Sequence, residues 1–409
     1  MTSEGIPTLP GSCEVLVLGA GPAGSACAQT LAALGWDVLL VDQYDFPRDK
    51  VCGDGLIPDA HRALERLGVA DEVRSRSNSA QYVRCFSPSG RHVDVAGQLS
   101  VLPRRDLDHI LVRSAQRAGV RFHTPWRFES LLRAEGRVEG AYLSSRAASV
   151  LVRTRHIVLA TGASSKALQQ SGLCIRRSPS AMALRGYLFN PALQQVFPHL
   201  EVFWHRRLSP GYGWIFPCGE GIFNVGIGVI DSHHAKRGRM RDVNLSKMLA
   251  NFLALHPSAQ ALVRGGEWLG APKGAPLRNS LDGAEVSAPG VLVTGEAAGS
   301  TYAFTGEGIG KALETGILAA ESLHQARTNG WDDTALGDYY RAQLSILKPK
   351  LDLYEKGNFV NHHPWLMELL IWRASRSERL QARMAAVLEE RANPAQLMTL
   401  RGMYRLFAD

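Results

Sequence analysis

The stretch that most constrains this chain lies near its start, where Val15-Leu16-Val17-Leu18 runs straight into Gly19-Ala20-Gly21-Pro22-Ala23-Gly24. Four apolar residues ahead of a glycine turn predict a strand buried on both faces, as in a parallel sheet. A small-residue helix is expected over Ser25 to Leu34, and after Gly35 a second apolar strand over Val38 to Val41. That strand ends on an acid, Asp42, eighteen residues past Gly24. A dinucleotide site needs this arrangement. Gly19 makes the tight turn, Gly21 lets the backbone approach a pyrophosphate, and Gly24 lets the helix lie close to the strand, with Ala23 in the same turn. Asp42 would take the ribose hydroxyls. The pyrophosphate would rest on unpaired N–H groups at the positive end of the helix.

A chain of 409 residues has room for two or three domains and a large core. Its 21% charged and 45% hydrophobic residues are ordinary for a soluble globular enzyme. The uncharged run Val15 to Trp36 is long enough to imitate a membrane span, but its glycines and Pro22 belong to a buried strand and helix. No basic segment precedes it, so a secretory signal is not expected, and residues 1–12 read as a flexible leader. Six cysteines without CxxC spacing suggest free thiols in a reducing cytoplasm. The net charge of +8 suits phosphate groups or acidic lipid head groups, and equally a plain basic surface. Neither zinc spacing nor an aromatic-studded basic patch is present, so no metal and no nucleic acid is expected. The pairs His233-His234 and His362-His363 read as surface residues. Internal repeats and low-complexity tracts are absent.

Beyond the first unit, Val51-Cys52-Gly53-Asp54-Gly55-Leu56 marks a backbone that something approaches closely. A helix is expected over Asp59 to Leu67, capped by Gly68. Gln81 to Phe86 and Arg91 to Val95 pair across a Ser87–Gly90 turn, and Arg104 opens a helix to Ala118. Short strands follow at Val120 to Phe122 and Ser130 to Leu132. Arg137 to Leu143 pairs with Leu151 to Thr154, and a separate buried strand, His156 to Leu159, returns to the first sheet. From Met182 to Ile230 the pattern is that of an antiparallel sheet. Tyr212, Trp214 and Phe216 put three rings on one face, while Asn224, Gly226 and Gly228 line one face of the partner strand. Such a glycine face invites a flat ligand or another backbone, or serves ordinary sheet packing. A helix over Arg241 to Leu255 follows. Late in the chain, Val291 to Val293 leads into Thr294-Gly295-Glu296-Ala297-Ala298-Gly299, and Thr305-Gly306-Glu307-Gly308-Ile309 starts a helix to about Leu323. The tail, 333–409, reads as helical.

These separated elements together resemble the FAD flavoproteins of the para-hydroxybenzoate hydroxylase fold. The resemblance implies that Gly295 and Glu296 contact the ribityl chain of the flavin. It also implies that Gly306, Glu307, Gly308 and Ile309 point a helix N-terminus at the pyrimidine edge of the ring. Two motifs are more specific. Lys50-Val51-Cys52-Gly53-Asp54-Gly55-Leu56 is similar to the cysteine-glycine signature of geranylgeranyl reductases, and Tyr212-Gly213-Trp214-Ile215-Phe216-Pro217 matches their Tyr-x-Trp-x-Phe-Pro signature. The resemblance covers about 15–323 and implies reduction of carbon–carbon double bonds in prenyl chains of chlorophyll precursors, archaeal lipids or quinones. Glu296 stands where the family usually has Asp. Thr161 replaces the Asp tied to NADPH use in aromatic hydroxylases, which leaves NADPH, another donor or an electron-donor protein open.

The expected fold is α/β, with a Rossmann-type FAD-binding domain (13–75, 100–178 and 285–325) interleaved with an antiparallel-sheet substrate domain (76–99 and 179–284). A helical C-terminal region, 326–409, follows. Alkene reduction needs a hydride on one carbon and a proton on the other, in a site that excludes water. Cys52 is a candidate acid or flavin-side contact, or a small buried hydrophobe. Tyr212 is a candidate proton donor, although Tyr212, Trp214 and Phe216 read better as the wall of an apolar tunnel. Arg104 is placed by the resemblance near the FAD phosphates and ribityl chain. A flavin monooxygenase or halogenase of the same fold is the rival enzyme. A redox-inactive flavin protein whose tail docks to a partner or membrane is the rival of a different class. In that tail Pro364 to Arg373 has the character of an interfacial helix, or of a helix packed on the FAD domain. A cytoplasmic enzyme peripheral to a membrane, acting on an extended apolar molecule, is the resulting expectation.

Overall fold

The computed structural model describes residues 9–230 and 243–392, so the leader to Thr8, His233-His234 and the last part of the tail lie outside the described residues. Two sheets organise the chain. The first has eight strands, and its spine runs Ser287–Ala288, Val291–Val293, Ser149–Leu159, Ser12–Leu18, Val38–Val41, Arg121–His123. Ser12–Leu18 pairs in parallel with Val38–Val41 on one side and Ser149–Leu159 on the other. The chain thus reverses its direction of winding beside the opening strand, and an open parallel sheet leaves a crevice at the strand ends where this happens. Val15 to Leu18 are at most 1% exposed, as a strand covered on both faces must be.

Two differences from the sequence reading concern this sheet. Ser12 is already paired, with Arg153, so the leader stops short of it. The segments read as two strands, Leu151 to Thr154 and His156 to Leu159, form one strand. Its first half pairs antiparallel with Arg137–Ser144 and its second half in parallel with the opening strand and Val291–Val293. Thr154 marks the change, its hydroxyl bonding to the carbonyls of Glu14 and His156.

Helices Pro22–Ala33 and Ile309–Asn329 cover one side of this sheet, so close that a Cβ on Gly316 would lie 2.2 Å from the Ala23 carbonyl oxygen. The second sheet has nine strands in the order Glu267–Trp268, Ala181–Phe189, Ile222–Ile230, Gly211–Gly219, Leu200–Phe203, Asn78–Phe86, His92–Val101, Gly55–Leu56, with Lys273–Leu277 beside Ala181–Phe189. It is not wholly antiparallel, because Leu200–Phe203 pairs in parallel with Asn78–Phe86. The tail continues as helices Asp333–Gly357, Phe359–His362, Pro364–Ala374 and Glu378–Leu388. The apolar side of Pro364–Ala374, through Met367 and Ile371, packs with Val93, Val95, Trp204 and Tyr212 of the second sheet. It does not pack on the FAD side. Its length and pattern made it a docking helix in sequence, but sequence could not say onto which sheet. Among the described residues no helix is long and apolar enough to cross a membrane.

Candidate active site

The crevice between the sheets is a cavity of about 780 Å³. Its polar end is lined by Gly19, Gly21, Asp42, Arg48 and Arg104. Its middle is lined by Lys50 to Gly55, Thr161, Glu296 and Thr305 to Gly308, and its far end by Val83, Val95, Leu200, Ile371, Met384 and Leu388.

The three glycines of the opening turn are needed for different reasons. Gly19 has φ +103, and a Cβ there would meet the Ala160 carbonyl oxygen at 2.4 Å. A Cβ on Gly24 would lie 1.7 Å from the Gly19 carbonyl oxygen. Gly21 is extended, a conformation open to any residue, and its missing side chain instead leaves space facing Arg104 and Arg48, whose guanidinium nitrogens stand 3.6 and 3.9 Å from the Cβ position. Asp108, fully buried, binds both cations. It accepts from Arg104 at 2.7 and 2.9 Å and from Arg48 at 3.0 Å. Burial works against the Arg104 charge, but Asp108 outweighs it and holds the group firmly cationic. Asp42 accepts from the Ala20 N–H at 2.9 Å and from the Tyr44 N–H at 3.0 Å, which fixes its carboxylate at the strand end.

Cys52 rides on a loop clamped from the second sheet. Its carbonyl accepts from Asn224 Nδ2 at 2.8 Å and Arg185 Nε at 3.3 Å, and Arg185 also reaches the Asp49 carboxylate at 2.6 Å. Asp54, in the left-handed region at φ 65, accepts from Tyr187 at 2.5 Å, Asn224 at 2.7 Å and the Arg104 N–H at 3.2 Å. Burial pushes its carboxyl up to about 6. What approaches Gly53 and Gly55 closely is the Phe216 ring, 3.2 and 3.4 Å from their Cβ positions. Burial also raises the Cys52 thiol, so at neutral pH it carries its proton.

The aromatic strand holds its rings by hydrogen bonds. Trp214 donates from Nε1 to Asn224 Oδ1 at 2.9 Å, and the Tyr212 hydroxyl donates to the Thr305 carbonyl. Trp214 lies over Gly226, 2.4 Å from its Cβ position, and Phe252 fills the space above Gly213. The glycine face of this hairpin is therefore filled by the protein's own rings, not by a flat ligand. The register explains it, since Trp214 pairs with Gly226 and Tyr212 with Gly228. Across the cavity Glu296 accepts from the Arg278 N–H at 3.4 Å and reaches the Gly162 turn, while Thr161 Oγ1 is buried with no partner among the described residues. Glu307 accepts from Thr305 Oγ1 at 2.9 Å.

A family model for the FAD binding domain matches residues 12–341. The chain is 31% identical to a menaquinone reductase from Mycolicibacterium smegmatis, over 82% of this chain and 83% of that protein. It is 30% identical to a digeranylgeranylglycerophospholipid reductase from Methanosarcina acetivorans, over 78% of this chain and 76% of that one. This chain belongs to the geranylgeranyl reductase family of FAD-dependent oxidoreductases. A geranylgeranyl bacteriochlorophyll reductase-like protein from Thermoplasma acidophilum shares the fold, with a TM-score of 0.78 at 22% identity over 95% of this chain and 98% of that one.

The residues of this reductase fit FAD. Gly21 leaves room between a helix N-terminus and two cations, which suits a pyrophosphate, and Asp42 offers fixed acceptors to ribose hydroxyls. The orphaned Thr161 hydroxyl faces the same cavity. All the residues expected at the site, Gly19, Gly21, Ala23, Asp42, Cys52, Arg104, Tyr212, Trp214, Glu296 and Gly306 to Ile309, line it except Gly24 and Gly295, which pack helix against strand. Sequence reasoning missed Arg48, Asp108, Arg185 and Tyr187, although Asp108 lies one helical turn from Arg104; the contacts of Arg48 with Asp108, Arg185 with Asp49 and Tyr187 with Asp54 span 60 residues or more of chain. Asn224 did carry a signal, as the one polar side chain on a glycine-lined strand face.

Proposed function

We propose that this enzyme reduces carbon–carbon double bonds in a prenyl chain, with the chain lying in the apolar end of the cavity. One observation carries the reading: a site for a dinucleotide is continuous with a chamber walled by Val83, Val95, Leu200, Ile371, Met384 and Leu388, where only apolar matter gains by entering. When bound, FAD supplies the hydride. Arg48 and Arg104 would hold its phosphates, Asp42 its ribose, and Glu296 the ribityl side. Thr305 to Gly308 present the start of helix Ile309–Asn329, where backbone N–H groups and the dipole favour negative charge. Cys52, as a neutral thiol on its clamped loop, orients the reacting end. Tyr212 and Trp214, with their polar hydrogens committed, wall the tunnel and exclude water. NADPH or another donor delivers the electrons. The outer side of the tail, with Phe359 56% and Trp365 65% exposed on a chain of net charge +8, rests on an anionic membrane that presents the substrate.

The test is an anaerobic incubation of chemically reduced enzyme with prenyl quinones and prenyl lipids, read by mass spectrometry. A product gaining two hydrogens as the flavin reoxidises is expected. A product that gains oxygen or halogen only after air is admitted would assign the chain to oxygen-using enzymes of the same fold.

A further inference from the structure

Reduction of an isolated alkene in a dry chamber needs a proton source inside that chamber. Burial raises the Cys52 thiol above its ordinary value and makes it a weak proton donor, and the Tyr212 and Trp214 hydrogens are committed to Thr305 and Asn224. Five described carboxyls line the cavity. Asp42 pairs with Arg48, and Asp49 pairs with Arg185 and Lys273. Asp54 accepts three hydrogen bonds, and Glu296 accepts a backbone N–H by the ribityl side. Glu307 differs from all four. Its carboxyl accepts one hydrogen bond, from the neighbouring Thr305 hydroxyl, and no cation acts on it among the described residues, whereas Glu296, also without an ion pair, feels the charges of Lys50, Arg104 and Arg278.

Resting on the prenyl-reductase reading, we propose that Glu307 is the catalytic acid of the reaction, donating its carboxyl proton to one carbon of the substrate double bond. The placement supports this. Glu307 directly precedes the Gly308 cap of helix Ile309–Asn329, and its backbone carbonyl accepts from the Tyr302 N–H at 2.9 Å, which fixes the turn. Its carboxyl lies within electrostatic reach of Tyr212 and Cys85 on the second sheet and of Tyr354 on helix Asp333–Gly357. Tyr212, Cys85 and Tyr354 all line the cavity, so the acid stands where sheet and tail enclose the apolar chamber.

The charged groups around it keep it protonated. Burial comes first, then Asp59 from helix Pro58–Arg66; the Thr305 hydrogen bond works against them, Glu390 after the last tail helix adds to them, and the carboxyl is pushed up to about 8. Lys311, one turn on in the sequence, is taken up by Asp59, Glu314 and Glu390. In the reaction the π bond breaks and its electron pair forms a C–H bond to the Glu307 proton. The hydride forms the second C–H bond, with oxidation of the bound cofactor. Glu307 is left as a carboxylate and recovers its proton from water after release.

The test uses the FAD-loaded full chain, the isosteric Glu307→Gln and the shorter Glu307→Asp. Infrared difference spectra of the wild type should show a protonated carboxyl band that is absent from E307Q and disappears as pH rises through about 8. In anaerobic single turnovers with a prenyl quinone, E307Q should retain its FAD and lose about 10²-fold or more in the rate of flavin reoxidation. E307D should recover part of it. The wild-type rate should be level below that pH and fall tenfold per unit above it, because only the protonated acid donates, while E307Q should show no such fall. Wild-type turnover by E307Q, an ionised Glu307 at neutral pH, or loss of FAD from E307Q would each overturn the assignment. If the wild type leaves every prenyl double bond untouched, the reductase reading fails instead, and the infrared band still reports on Glu307 alone.

Discussion

Single substitutions in the opening turn should separate folding from cofactor binding. Gly24→Ala forces a carbon to within 1.7 Å of a backbone oxygen, so helix and strand must part, and both thermal stability and flavin content should fall. Gly21→Val meets only guanidinium ends at 3.6 and 3.9 Å and needs no unusual φ, so the protein should stay folded while losing its yellow colour. Equal melting temperatures with a retained flavin spectrum would contradict the site. Cys52→Ala should keep FAD and slow alkene reduction, since the loop is held through the Cys52 backbone carbonyl and not its sulfur. Unchanged turnover would make Cys52 a packing residue. The signature around Cys52 was readable as a motif, but its physical content was not. Gly53 and Gly55 are small because Phe216, more than 150 residues away in sequence, lies on them.

At the scale of elements, the aromatic strand and its partner act as a unit. Gly226→Ala places a methyl 2.4 Å from the Trp214 ring and 2.8 Å from the Leu184 carbonyl oxygen, so it should destabilise by about 1–3 kcal/mol and tilt the ring wall. A melting temperature within error of the wild type would mean that the hairpin can relax. On the opposite side of the same sheet, buried Glu201 bonds His199 at 3.1 Å and His256 at 2.6 Å. Burial alone would raise its carboxyl, but the hydrogen bonds from these two histidines hold it down to about 2. A depressed carboxyl adds stability above its unfolded value that is lost as pH falls toward the folded one. Stability should therefore drop between about pH 4.5 and 2 by more in the wild type than in Glu201→Gln, measured by thermal unfolding across that window. Parallel pH curves would contradict the pairing.

For the whole molecule, the tail closes the apolar end of the cavity. Leu388 presses on Gly97 of the second sheet, 2.9 Å from its Cβ position, and Glu390 joins Arg62, Lys311, Lys350 and Tyr302. Leu388→Asp should leave the flavin spectrum intact and raise KM for a prenyl substrate about tenfold, because it puts a charge on the apolar wall. An unchanged KM would remove this end of the cavity from the substrate path. The sequence by itself determined the dinucleotide unit, the two signatures and the helical tail. These depend on local geometry: a strand period, a glycine turn and an acid at a fixed spacing. It also singled out Cys52 and Glu307, though not what each faces, and placed Asn224 only as a polar residue on a glycine-lined face. Only the tertiary structure decided that Arg48 and Arg104 share Asp108 behind Gly21, that Trp214 fills its own glycine face, and that the tail roofs the second sheet. The Arg48–Asp108 pair and the tail on the second sheet join segments far apart in the chain, and the seat of Trp214 on Gly226 follows from hairpin register; there packing and burial choose the partner and no local pattern can.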